Sequence, residues 1–156
     1  MNKIQRINLF KKCLKHLAEE SIGGIIHFYT KEAIQGPPNG CLVQFAGGTE
    51  GLACDIPIIW LSKEEIEKIK KLPEFFEAKE IGSYQAYFNI SDKEIEKMAN
   101  LAEKIFTEVY NLPENYDVIV EYTIDQKTGI RIYPDGSEEK ISWVKESLLR
   151  KLKLLW

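Results

Sequence analysis

The sequence is poor in the residues from which metal sites and catalytic sites are most often built. It contains two histidines and three cysteines among 156 residues, and neither type occurs in a CxxC or HExxH pattern. No apolar run approaches the roughly 20 residues that a membrane-spanning helix needs. These absences argue against a metalloprotein, a disulfide-built scaffold and a protein that crosses a membrane.

The charge of the chain is small and evenly spread. A formal net charge of -3 does not provide the concentrated cationic face that phosphate binding requires, so we expect no nucleic-acid partner. The first 20 residues alternate charged with apolar side chains and lack the uninterrupted apolar core of a signal peptide. We therefore expect a cytoplasmic protein and no membrane partner.

The length and composition favour one α+β domain over residues 1–156, with a core at 1–124 and a C-terminal extension at 125–156. Apolar residues make up 44% of the chain, which is ordinary for a globular protein. Neither a repeat nor a linker marks an internal boundary. A chain of this length can bury a large core without disulfides or metals.

The segment from Gly40 to Pro57 predicts a β-hairpin. Leu52, Cys54 and Ile56 alternate with polar or small residues, as the first arm also does, and a glycine-rich loop separates the two arms. Proline lacks the N–H group that a strand ladder uses, so pairing should end at Pro57.

Apolar periodicity predicts the other elements. The first helix covers residues 2–20 and has an apolar stripe made of Ile4, Ile7, Phe10, Leu14, Leu17 and Ala18. Capping boxes at Ser62 and Ser91 begin two more helices, the first at 63–72 and the second running to about Val109. Strands are predicted at 25–30, 84–90, 118–124 and 130–133, and an amphipathic helix at 141–156. Short connections favour antiparallel pairing.

The chemistry-bearing residues allow alternatives. His27, Cys41 and Cys54 lie on predicted neighbouring strands and could form a zinc site, or Cys54 could be a nucleophile with His27 as its base. The pattern favours buried free thiols and a hydrogen-bonded histidine instead, while His16 falls on a solvated helix face. The loop Gly47–Gly51 resembles a phosphate cradle in composition, but it joins two strands and carries Glu50, which favours a hairpin turn.

Four stretches of the chain resemble the TY-Chap and YbjN-like family, which is similar to type III secretion chaperones. They are residues 41–48, 52–55, 82–88 and 105–113, and the likeness covers about residues 1–124. The resemblance implies a secretion-chaperone-like fold in which helices flank a curved, mostly antiparallel sheet. It also implies a dimer, the absence of catalytic residues and cofactors, and the binding of a partner polypeptide.

We therefore predict a non-catalytic, chaperone-like protein that binds another polypeptide, and we expect a homodimer. An immunity-type or inhibitor protein that binds one enzyme is an alternative with the same fold requirements. A small cysteine-dependent enzyme is a third. No catalytic, cofactor-binding or metal-binding residues are predicted.

The predicted helix at 141–156 has an apolar face too wide for an isolated surface helix. Its candidate partner-binding residues are Trp143, Leu148, Leu152 and Trp156. Packing back on the domain or into a dimer interface would also cover this face, and its basic residues leave a membrane surface as a further alternative.

Overall fold

A computed structural model describes residues 1–19, 24–37, 39–123 and 127–142. The α-helices are α1 (Lys3–Glu19), α2 (Lys63–Lys70) and α3 (Asp92–Lys104). The strands are β1 (Gly24–Tyr29), β2 (Leu42–Gly48), β3 (Gly51–Pro57), β4 (Phe76–Ala78), β5 (Ser83–Phe88), β6 (Ile119–Thr123), β7 (Thr128–Ile132) and β8 (Glu138–Ser142). Within the described ranges, no helix is long and apolar enough to span a bilayer.

The eight strands form one curved open sheet in the order β4-β5-β3-β2-β1-β6-β7-β8. Every neighbouring pair is antiparallel. The predicted α+β class and the antiparallel pairing are therefore confirmed. The strands β7 and β8 continue the same sheet beyond β6, so the first part of the predicted C-terminal extension is built into it.

All three α-helices contribute to one apolar core on a single face of the sheet. Phe10 and Leu14 of α1 and Met98 of α3 pack with Phe28 and Phe45 of the central strands, and all five are fully buried. Ile69 of α2 belongs to the same cluster. Burial of this apolar surface is the main force that holds the helices on the sheet.

The predicted hairpin is confirmed. Gly48 lies opposite Gly51 at the end of the β2–β3 ladder, which leaves a two-residue turn. Gly47 has φ of +139°, and a Cβ atom there would lie 2.1 Å from the carbonyl oxygen of Gly51. Only glycine fits this position, so the glycines serve the tight turn and not a phosphate.

The predicted helix starts are also present. Ser62 and Glu65 form a complete capping box at α2. The capping box predicted at Ser91 is incomplete: the Ser91 hydroxyl accepts a hydrogen bond from the Glu94 backbone, while the Glu94 carboxylate accepts one from Lys97. The helix predicted to reach Val109 does so by changing into a π-helical turn at Ile105–Val109.

The stripe predicted for α1 is wrong at its first member. Ile4 is 72% exposed, and Ile7 is half-buried. Arg6 points into the protein instead and is 1% exposed, because its guanidinium group is matched by Glu103 of α3. A sequence pattern that counts only apolar residues does not detect a charged pair inside the domain.

One prediction near a sheet edge needs correction. The amphipathic helix predicted to begin at Ile141 does not begin there, because Ile141 and Ser142 belong to β8 and pair with β7. The rest of that prediction, residues 143–156, lies outside the described residues. At the other edge, Phe76–Ala78 forms the three-residue strand β4, where no strand is predicted from the sequence.

Candidate functional site

Among the described residues, the α-helices cover one face of the sheet and leave the other face uncovered, and we call the uncovered face the helix-free face. Side chains alternate between the two faces of a strand, so the partners of core residues such as Phe28, Phe45 and Cys54 point the other way. On β1 these are Ile25, His27 and Tyr29. The side chains on the helix-free face therefore lie outside the main apolar core.

A row of polar side chains crosses the helix-free face from one edge of the sheet to the other. Its members are directly opposed in the strand register, one from each strand: Phe76, Gln85, Asp55, Gln44, His27, Glu121, Arg131 and Glu139. Seven of these eight residues are polar or charged. We call this set the polar row.

The β3–β5 end of the polar row is organised around Asp55. One of its carboxylate oxygens accepts hydrogen bonds from the Ser83 hydroxyl at 2.7 Å and from the Gln85 amide at 2.8 Å. The Gln85 carbonyl in turn accepts from the Tyr87 hydroxyl at 2.9 Å. The chain of bonds fixes the orientation of these side chains and leaves Asp55 as a hydrogen-bonded acceptor.

The β6–β7 end contains a buried charged cluster. The Tyr29 hydroxyl donates to Glu121 at 2.6 Å, and the Arg131 guanidinium group contacts the same carboxylate oxygen at 3.1 Å. Burial and the neighbouring Glu121 carboxylate raise the pKa of Tyr29 well above its ordinary value. This phenol is therefore a hydrogen-bonding group and not a proton donor for chemistry near neutral pH.

His27 lies in the middle of the polar row. Its Nε2 atom is 2.8 Å from the amide oxygen of Gln44, and Glu121 is its cross-strand neighbour on the other side. Burial lowers the pKa of His27 below its ordinary value, although the contacts with Gln44 and Glu121 oppose the shift. The imidazole is thus neutral at physiological pH, as expected for the hydrogen-bonded histidine that the sequence favoured.

An apolar strip runs beside the polar row toward the β4 edge. Tyr87, Ala53, Ala46 and Ile25 are directly opposed on β5, β3, β2 and β1. Tyr87 is 68% exposed and contacts the 46% exposed Phe76, with ring centroids 5.4 Å apart. The two alanines form a shallow floor between Tyr87 and Ile25. We call the four strand residues together with Phe76 the apolar strip.

The cysteine hypotheses do not agree with this geometry. Cys54 is opposite Phe45 and points into the core, whereas His27 points to the helix-free face, so the proposed nucleophile and base are on opposite sides of the sheet. Burial raises the pKa of Cys54 far above its ordinary value. Cys41 lies beside Thr30, immediately before β2 begins. It is four residues from Phe45, which is the residue opposite Cys54. All three cysteines are free.

The zinc hypothesis fails for the same reason. Its three ligands, His27, Cys41 and Cys54, do not converge, and the described part of the chain contains no group of three histidine, cysteine or carboxylate side chains placed to hold a metal ion. His16, predicted to be solvated, is exposed and makes an edge contact with Tyr122.

The predicted partner-binding residues Trp143, Leu148, Leu152 and Trp156 lie outside the described residues. The helix-free face is not predicted by the sequence patterns. Its signal was present in part, because Gln44, Asp55 and Gln85 occupy alternate positions in predicted strands. The strand order that places these residues in one row follows from long-range pairing, which a single sequence does not reveal.

Comparison of the chain with protein-family models, with curated proteins and with solved structures finds no match.

Proposed function

We propose that this protein binds a partner polypeptide through the helix-free face and acts without chemistry of its own, in the manner of a chaperone. The observation that carries the proposal is the apolar strip. Aromatic residues are enriched at protein interfaces because a large, rigid ring gains much contact area at low entropic cost. Phe76 and Tyr87 form such a pair on an open sheet.

The composition of the face supports a polypeptide as the ligand. An apolar strip bordered by a polar row resembles the usual arrangement of interfaces, in which an apolar centre is surrounded by hydrogen-bonding groups. The side chains of Gln44, Asp55 and Gln85 supply donors and acceptors beside the alanine floor. The sequence-predicted residues Trp143, Leu148, Leu152 and Trp156 remain part of the proposal as additional partner contacts.

A photoreactive benzophenone side chain in place of Phe76 tests the proposal in the full chain within its native host. We expect one polypeptide to cross-link at this position, and the same polypeptide, once purified, to bind the purified protein. A matched probe in place of Ile4, which is equally apolar and exposed but lies on α1, should not capture it.

The outcome also separates the alternatives. A partner that is an enzyme and loses activity in a one-to-one complex would favour the inhibitor class over the chaperone class. Cross-linking of Phe76 only to a second copy of this chain would assign the face to a homodimer. Equal capture from the Ile4 position would contradict a binding function of the helix-free face.

A further inference from the structure

A cleft opens at the end of the sheet where β1 ends and β6 begins. Its volume of about 850 Å³ lies within the usual range for sites that hold small organic molecules, roughly 300–1,000 Å³. The first wall is the turn that follows β1, the second is the segment that precedes β6, and the third is the β7–β8 turn. The residues of the polar row and of the apolar strip do not line this cleft, so it is separate from the site described above.

Hydrogen bonds hold each of the three walls in place. In the first wall, the Cys41 backbone N–H group donates to the Thr30 hydroxyl at 3.0 Å. In the second, the Tyr116 hydroxyl donates to a buried carboxylate of α3 at 2.7 Å. In the third, the Tyr133 backbone N–H group donates to the Ser137 carbonyl at 2.9 Å. Because the walls are fixed before a ligand arrives, binding there costs little ordering of the protein.

The lining of the cleft is mainly apolar. Ile119 is buried in a small apolar cluster, against which Ile34 of the first wall and Tyr133 of the third wall pack. Leu112 adds an apolar side chain from the second wall. Contact with these groups removes the hydrocarbon or aromatic part of a ligand from water, which is favourable.

The charged groups of the cleft favour a positively charged ligand. Among the described lining residues, three are carboxylates, Glu32, Asp117 and Asp135, and one is a lysine, Lys31. The amino group of Met1 contacts Asp117 at 2.6 Å. No described residue forms an ion pair with Glu32 or Asp135. These two carboxylates therefore exceed the one lysine by a single negative charge.

The two unpaired carboxylates come from different walls of the cleft. Glu32 belongs to the first wall and Asp135 to the third, and both side chains are exposed. Asp135 Oδ1 accepts hydrogen bonds from the Ser137 backbone at 2.9 Å and from the Ser137 hydroxyl at 2.6 Å. These bonds lower the pKa of Asp135 below its ordinary value, so it is ionised at neutral pH. The cleft thus combines an apolar interior with carboxylates at its mouth.

We propose that this cleft binds a small organic cation, in which an aromatic or aliphatic body carries a protonated amine. The body packs on Ile34, Ile119 and Tyr133, and the ammonium group pairs with Glu32 and Asp135. Complementary charge fixes the orientation of such a ligand. The cleft is a ligand site in addition to the proposed polypeptide-binding surface, and neither proposal depends on the other.

Three small molecules that differ only in their terminal group test the proposal on the purified, 15N-labelled full chain. Phenethylamine carries an ammonium group, phenethyl alcohol a neutral hydroxyl group and hydrocinnamate a carboxylate, each on the same ring and two-carbon arm. Each molecule is titrated at neutral pH and constant ionic strength while the amide chemical shifts are recorded by NMR. The dispersion of the same spectra verifies that each variant is folded.

We expect phenethylamine to shift the amide signals around Ile34, Ile119 and Tyr133. It should bind severalfold more tightly than phenethyl alcohol, and hydrocinnamate should bind most weakly. No shift at these amides, or shifts confined to other parts of the chain, would overturn the proposal. Equal affinity for the amine and the alcohol, or tighter binding of the carboxylate, would overturn the assignment of a cation as the ligand.

The double variant Glu32→Gln/Asp135→Asn isolates the role of the two carboxylates. The second substitution keeps a side-chain oxygen that can accept the hydrogen bonds from Ser137. We expect this variant to lose most of the preference for the amine over the alcohol. The control Glu50→Gln removes an exposed carboxylate in the hairpin turn, at the opposite end of the strands, and should keep the preference. An unchanged preference in the double variant would contradict the proposed pairing.

Discussion

Arg6 and Glu103, which are 97 residues apart in the chain, form a two-point ion pair inside the domain. The Arg6 Nη2 atom is 2.6 Å from Oε1 of Glu103, and Nε is 2.9 Å from Oε2. The Tyr116 hydroxyl donates to the same carboxylate at 2.7 Å, and the Arg6 guanidinium group lies 3.8 Å from the centre of the Tyr116 ring. The cluster connects α1, α3 and the segment before β6.

We expect Arg6→Met to destabilise the protein strongly. Removal of one partner leaves the buried Glu103 carboxylate without its counter-charge, and such losses cost about 3–5 kcal/mol. The double variant Arg6→Met/Glu103→Met removes both charges and should recover much of that loss. Urea unfolding measures both free energies. A single variant that is as stable as the wild type would contradict a structural role for the pair.

The same cluster predicts a loss of stability in acid. Burial alone would raise the pKa of Glu103, but the hydrogen bonds from Arg6 and Tyr116 outweigh it and hold the pKa below the ordinary value of 4.5. The unfolded chain therefore binds a proton at higher pH than the folded chain does. The contribution of the Glu103 carboxylate to stability is present above pH 4.5, the ordinary pKa of the group. It is lost as the pH falls through the lower pKa of the folded protein.

Urea unfolding of the wild type and of the double variant Arg6→Met/Glu103→Met over this acid range measures the effect. The wild type should lose more stability than the double variant as the pH falls. Parallel curves for the two proteins would show that other carboxylates dominate acid unfolding.

The lowered pKa of His27 predicts a second loss of stability, at a higher pH than the loss due to Glu103. Its pKa is lowered in the folded protein, chiefly by burial, so the unfolded chain binds a proton first as the pH falls below the ordinary value of 6.5. Stability should therefore decrease on mild acidification, and His27→Gln should reduce that decrease. The variant His16→Gln, at an exposed imidazole, is the matched control for the removal of one histidine. An unaltered pH dependence in His27→Gln would refute this prediction.

The thiols should be inert in the native protein. Alkylation requires the thiolate, and burial raises the pKa of Cys13 to about 11 and that of Cys41 to about 12. Cys54 is fully buried. Mass spectrometry after iodoacetamide treatment should find little labelling in buffer and complete labelling in denaturant. Rapid labelling of Cys54 in the folded protein would revive the hypothesis of a cysteine-dependent enzyme.

Local patterns predicted much of the fold and little of the site. The hairpin has alternating apolar residues and glycines that its tight turn requires. The helix α3 has a periodic apolar face and a serine cap. These local features are sufficient to predict both elements. The strand β8 was missed because its five residues include a single apolar side chain, Ile141. The three-residue β4 is held by pairing with β5, and no local signal marks so short a strand.

The candidate site was not predictable for a related reason. Residues such as Gln44, Asp55 and Glu121 are ordinary solvent-side positions when each strand is considered alone. They become a continuous row only after the order β5-β3-β2-β1-β6 has formed. The exposure of Tyr87 and Phe76 likewise depends on which face the helices cover. Tertiary pairing, and not local propensity, produces the helix-free face.

The measurement that tests the central claim most directly is the affinity of the purified partner polypeptide for full-length variants, determined by isothermal titration calorimetry. We compare Tyr87→Asp with the control Ile4→Asp, since Tyr87 and Ile4 are 68% and 72% exposed and lie on opposite sides of the sheet. A charge in the apolar strip should weaken binding at least about tenfold, which corresponds to roughly 1.4 kcal/mol, while Ile4→Asp should bind like the wild type. Equal affinity of the two variants would contradict the assignment of the helix-free face as the binding surface.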